Sequence, residues 1–284
     1  MSNFHTNPNT FPTHVALRIM NFNKSLEFYQ NIMGFKVLEK SEKSAILTAD
    51  GINPLISLEE PANIKKKELR KTGLYHFAIL LPSRKDLGKF IKHLMKTGYP
   101  IIGASHHGVS EAIYLQDIDD NGIEVYADTP VSNWKWENNF IDMYTKALDI
   151  KSIVAESSDE VWEEIPRETI LGHIHLHVRD LDEAERFYVE GLGFDVVSKI
   201  PNQATFISTG GYHHHIAFNI WNGKNIPPAS ENSVGMKYFT LKLPNQKSRH
   251  DAIDRLNSLG YEVRFENGNF ITMDPSKNEI HLAI

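Results

Sequence analysis

THVALRIMNFNKSLEFYQNIMGFKVLEK, running from Thr13 to Lys40, returns in the second half of the chain as GHIHLHVRDLDEAERFYVEGLGFDVVSK, from Gly172 to Lys199. Both begin with apolar and polar residues in alternation, the period of a half-buried strand. A polar turn follows, then an amphipathic helix carrying a Phe-Tyr pair (Phe28-Tyr29 and Phe187-Tyr188), then an xxGF turn into a second strand. An internal repeat of this length makes the chain a duplication, and its unit sets the architecture.

A related unit follows each copy. It opens on a strand, HFAILLP from His76 and YFTLKLP from Tyr238, and continues into a helix that breaks at Gly-Tyr. Gly98 and Gly260 suit the left-handed position after a helix. The units close on similar tails, DIDDNGIEVYAD from Asp117 and MDPSKNEIHLAI from Met273. The expected fold is therefore α+β, with four βαβββ modules. Residues 1–130 hold an N-terminal module pair, 131–168 a connecting segment with some helical periodicity, and 169–284 a C-terminal pair.

The chain has 284 residues, a net charge of −6 and no cysteine. Acidic and basic residues are interspersed, so nothing announces nucleic acid or an anionic membrane, and a small molecule is the expected partner. Without thiols, His, Asp and Glu are the strong metal ligands left. No stretch approaches the roughly 18 uninterrupted apolar residues of a membrane span. The N-terminus shows neither a basic region nor an apolar core of a signal peptide, which reads as cytoplasmic. Fourteen histidines, several of them in HIHLH and YHHH, exceed ordinary usage.

Four such modules, with a strand opening on GHIHLHV and another closing on D-x-D-x-N-x-I-E-x-Y, resemble the vicinal-oxygen-chelate superfamily, which includes glyoxalases, fosfomycin-resistance proteins and extradiol dioxygenases. The resemblance runs from about Thr13 to Leu282. It implies two cups of curved sheet, each made of two modules, and a divalent metal inside a cup.

By that resemblance Glu124 falls at the carboxylate-ligand position and His76 at the first-strand ligand position of the same module. The third ligand comes from another module, either His14 or His173. Sequential pairing of modules selects His14, whereas pairing of the second with the third selects His173, and three features favour His173. The third module carries Tyr212-His213-His214-His215, in which His214 matches the acid/base histidine of extradiol dioxygenases. A cup of the third and fourth modules would present His173, Tyr238 and His281, which lacks the triad. The second module supplies Tyr114, at the family's active-site tyrosine position, with His106 or His107 nearby.

The implied activity is extradiol cleavage of a catechol-like aromatic diol by dioxygen, dependent on Fe(II), with Mn(II) as the alternative metal. His76, Glu124 and His173 would be its ligands. Two histidines and a carboxylate on one face leave the other face for substrate and oxygen. His214 would act as base, Tyr114 would donate to a substrate oxygen, and His106 or His107 would steady Tyr114. Alternation along a strand would turn His213 and His215 away from His214. Two other activities fit the same cup: a glyoxalase-type lyase or isomerase, and a metal-free binding protein. A glyoxalase would place a second carboxylate at the metal, and a metal-free cup has no use for His76 and Glu124. Family members are commonly oligomeric.

Overall fold

Every strand of the four expected modules forms in the computed structural model, which describes residues 3–157 and 160–284. The first module contributes β1 (Phe11–Arg18), β2 (Lys36–Lys40), β3 (Ser44–Thr48) and β4 (Ile56–Glu59). The second has β5 (Gly73–Leu80), β6 (Gly103–His106), β7 (Ser110–Gln116) and β8 (Gly122–Asp128). A short hairpin, β9 (Trp136–Glu137) and β10 (Phe140–Ile141), lies between the halves. The third module has β11 (Ile170–His177), β12 (Asp195–Ile200), β13 (Ala204–Ser208) and β14 (Ile216–Asn219). The fourth has β15 (Gly235–Lys242), β16 (Val263–Glu266), β17 (Asn269–Met273) and β18 (Glu279–Ala283).

The modules do not pair in chain order. One eight-stranded sheet runs β12-β13-β14-β11-β5-β8-β7-β6 and joins the third module to the second. The other runs β16-β17-β18-β15-β1-β4-β3-β2 and joins the fourth to the first. Each sheet is closed at its centre by an antiparallel pair of opening strands, β5 with β11 and β1 with β15. This is the pairing that selects His173 over His14.

The first and second modules, and likewise the third and fourth, lie in different sheets but are tied by the two motifs that repeat. The Phe-Tyr helices are α1 (Phe22–Glu27) and α4 (Leu181–Glu185), each running on into a π-helical turn that holds the pair. Tyr29 donates from its hydroxyl to Asp117 Oδ2 at 2.9 Å, and Tyr188 to Asp274 Oδ2 at 3.0 Å. Both aspartates open the closing tails of the next module, where Oδ1 accepts the backbone N–H groups of Asp119 and Asn121, or of Ser276 and Asn278. Both carboxyls are buried and so depend on these donors, since an unpaired buried polar group is costly.

The long helices α2 (Arg84–Thr97) and α5 (Gln246–Ser258) cover the outer faces. Ser83 caps α2 by accepting from the Asp86 N–H, and Gly98 (φ 72°) and Gly260 (φ 86°) take the left-handed positions expected of them. Leu87, Phe90, Ile91 and Leu94 form the buried stripe of α2. In the connecting segment, α3 (Ile150–Glu156) packs on α2 at Gly88, where a Cβ would lie 2.4 Å from the Ile153 carbonyl oxygen. Among the described residues no helix is long and apolar enough to cross a membrane.

Candidate metal centre

The ladder register builds the centre of the second-third sheet around one small residue. Ala78 on β5 lies opposite His173 on β11 and, on its other side, opposite Glu124 on β8. His76 is two residues along β5 and therefore on the same face. Ala78 is completely buried and offers only a methyl group, so the longer side chains on three sides close over it.

They converge to one point. His76 Nε2 is 3.0 Å from Glu124 Oε2, His173 Nε2 is 3.3 Å from the same oxygen, and the two ring nitrogens are 3.3 Å apart. Adjacent ligands on an octahedral ion at about 2.1 Å stand about 3.0 Å from each other. The triangle is thus the size of one octahedral face, and imidazole with carboxylate suits Fe(II) or Mn(II). His76, Glu124 and His173 form a 2-His-1-carboxylate site, and among the described residues they are the group of three His or acidic ligands that converges in this way.

Electrostatics favour the metal-binding forms. Burial alone would raise the Glu124 carboxyl, but His173 and His76 beside it hold it well below the usual carboxylate range. Burial drives His173 down to about 4, against the pull of Glu124. At neutral pH Glu124 is ionised and His173 neutral, the states that bind a cation.

A cavity of about 310 Å³ opens beside the triad. Its apolar wall includes Val109, Met143, Ile200, Phe206 and Trp221. Tyr114 enters it from β7, directly opposite Glu124 in the ladder. Burial and the Glu124 charge push the Tyr114 hydroxyl well above its usual range, so it stays protonated. Its partner is His107, whose Nε2 is 2.8 Å from the hydroxyl and whose Nδ1 is 3.0 Å from the Tyr144 carbonyl. His106 turns the other way and stacks on Tyr144.

His214 lines the same cavity, its ring centroid 4.1 Å from that of His173. Burial drives it well below its usual range, so it is neutral. Strand alternation fails here, because Tyr212 to His215 form a loop ahead of β14. His213 is therefore not turned away: its Nδ1 lies 2.8 Å from His214 Nδ1. His215 does diverge, its Nε2 3.2 Å from the Phe4 carbonyl.

His14 sits at the corresponding point of the other sheet, with Nε2 2.8 Å from Ser57 Oγ. Tyr238 and His281 occupy the remaining ligand positions there and stack on each other at 3.8 Å and 4°. Sequence reasoning missed Ala78, Phe206, Trp221 and the partner of His213, Asp128. No local signal marks them, since each matters only through a neighbour on a distant strand.

Residues 12–125 and 170–280 match the Glyoxalase/Bleomycin resistance protein/Dioxygenase superfamily, and the chain belongs to that family. It is 46% identical to the catechol-2,3-dioxygenase of Bacillus subtilis (strain 168) over 270 residues, covering 93% of this chain and 94% of that protein. A metallothiol transferase FosB of Staphylococcus haemolyticus is 29% identical over 115 residues, 40% of this chain and 80% of that one. The crystal structure of glyoxalase I from Zea mays superposes with a TM-score of 0.60 at 17% identity, covering 96% of this chain and 92% of that chain, a likeness of fold.

Proposed function

We propose that this protein is an extradiol ring-cleaving dioxygenase acting on a catechol-like aromatic diol. The observation that carries the proposal is the facial triad of His76, Glu124 and His173, set beside an aromatic-walled cavity that also holds His214 and Tyr114. The similarity to a catechol-2,3-dioxygenase over nearly the whole of both chains supports it. Fe(II), or Mn(II) in its stead, would be held by His76, Glu124 and His173 and would supply Lewis acidity towards a vicinal diol and the redox chemistry for dioxygenation of the ring.

The chain's own residues prepare that chemistry. Phe206, Trp221 and Ile200 give the cavity an apolar wall against which an aromatic ring can lie. Neutral His214 accepts a proton from a diol hydroxyl as the diol binds and later returns it, the work of a general base and acid. Tyr114 hydrogen-bonds a diol oxygen, and His107 holds its hydroxyl in place from behind. The single carboxylate at the triad favours this reading over a glyoxalase-type lyase or isomerase.

The test is anaerobic reconstitution with Fe(II) followed by catechol in air-saturated buffer, recording oxygen uptake and the yellow ring-fission product. We expect both, and their loss in Glu124→Ala. Tight metal binding with neither signal across a panel of catechols and hydroquinones would overturn the proposal in favour of lyase or isomerase chemistry.

A further inference from the structure

Behind His214 runs a buried line of hydrogen bonds that the chemistry above leaves unused. Asp128 Oδ1 lies 3.0 Å from His213 Nε2, and His213 Nδ1 lies 2.8 Å from His214 Nδ1. The Tyr212 hydroxyl donates to the same Asp128 oxygen at 3.2 Å and is itself 2.8 Å from the Tyr126 hydroxyl. His213 and His214 are both buried, and His214 Nε2 makes no hydrogen bond within the protein.

The order of donors along this line follows from its first member. An aspartate carboxylate only accepts, so the hydrogen in the Asp128 contact belongs to His213 Nε2. An imidazole whose one ring hydrogen goes to Asp128 accepts at its other nitrogen, and in that form His213 Nδ1 is the acceptor. Its neighbour at 2.8 Å must then donate, and that neighbour is His214 Nδ1. The remaining nitrogen, His214 Nε2, is left with a bare lone pair. Burial strengthens each of these preferences, because a mismatched pair would have no water to turn to.

We propose that Asp128 and His213 are positioning residues that hold His214 in its Nδ1–H tautomer, with Nε2 as the atom that takes the substrate proton. What His214 does with that atom rests on the ring-cleaving reading; how the tautomer is set does not. The reverse polarity would require His213 to carry two protons and would leave His214 Nε2 protonated, unable to act as base. Outer partners of this kind orient reacting groups elsewhere, and their loss costs about 10-fold to 100-fold.

The experiment is a ¹⁵N–¹H correlation spectrum of histidine ring nitrogens in the full chain loaded with diamagnetic Zn(II), with His214 assigned through His214→Gln. We expect His214 as the Nδ1–H form in the wild type and a shift towards Nε2–H in both Asp128→Ala and His213→Phe. In the Fe(II) enzyme the same variants should lower kcat about 10-fold to 100-fold, with KM within about twofold and iron content unchanged. An Nε2–H signal for His214 in the wild type would overturn the proposal, and that arm needs no variant to fold. Unchanged tautomer in folded Asp128→Ala and His213→Phe would overturn it as well. Absence of oxygen uptake in the wild type would instead sink the ring-cleaving reading, while the tautomer result stands by itself.

Discussion

Replacing Gly172 by alanine should damage the site although nothing about the backbone forbids it. Gly172 precedes His173 on β11 and is not among the glycines with left-handed φ, so alanine fits the strand and alone would stabilise it by about 0.5–1 kcal/mol. The added Cβ, however, would stand 1.9 Å from the Tyr126 hydroxyl oxygen, 2.7 Å from its Cζ and 2.9 Å from its Cε1. Ordinary contact begins near 3.4 Å, so the hydroxyl must retreat by about 1.5 Å. Tyr126 is completely buried and its hydroxyl is held 2.8 Å from that of Tyr212. Overpacking of this kind costs about 1–3 kcal/mol, and the strained hydrogen bond about 1 kcal/mol more. Set against the strand gain, the net loss is about 1–3 kcal/mol. Displacement beside His173 and along the line to His214 should also lower kcat, by up to about 100-fold for a shift near 1 Å.

Thermal unfolding and steady-state oxygen uptake check both effects. Tyr126→Phe in the same chain removes the closest atom and should recover part of the loss, giving a measurable coupling in a double-mutant cycle. A Gly172→Ala protein with stability within about 0.5 kcal/mol of wild type and unaltered kcat would refute the packing argument.

Three further outcomes are expected. Tyr114→Phe should keep its metal and lose about 10-fold to 100-fold in kcat, the worth of one hydrogen bond to a charged partner at about 1.5–3 kcal/mol, checked by metal analysis beside kinetics. His14→Ala should retain metal content and ring cleavage, because His14 lies in the other sheet bonded to Ser57; loss of iron in this variant would contradict the sheet pairing. Burial lowers His5, His14 and His177 from 6.5 to about 4. Between those values the unfolded chain takes up protons that the folded chain refuses, so stability is full above about pH 6.5 and falls as pH drops towards 4. Urea unfolding at pH 7 and pH 5 should show the lower midpoint at pH 5, and a midpoint that rises on acidification would exclude this cause.

Local motifs were enough to reveal the four modules. Alternation marks β1 and β11, the Gly-Tyr breaks mark the ends of α2 and α5, and the Asp117 and Asp274 tails repeat within sight of each other. Such features are legible because strand period, helix capping and turn chemistry are settled within a few residues. The ligand types, Glu124 and His76 were legible for the same reason, since each sits at a marked position of its own module, whereas the third ligand was narrowed to His14 or His173, with His173 favoured.

Only the tertiary structure decided which modules share a sheet, and with that which histidine completes the triad. Thr13 to Lys40 and Gly172 to Lys199 carry the same pattern, so the repeat itself does not tell His14 from His173; the sequence favoured His173 only through Tyr212 to His215, the ligands missing from the fourth module, and Tyr114. The choice is made when β5 pairs with β11 and Ala78 is brought between His173 and Glu124. The Tyr212 to His215 stretch shows the same limit, where its sequence suggested alternating faces but the residues form a loop in which His213 meets Asp128. Strand register and loop path depend on partners far along the chain, and that information appears only when the sheet closes.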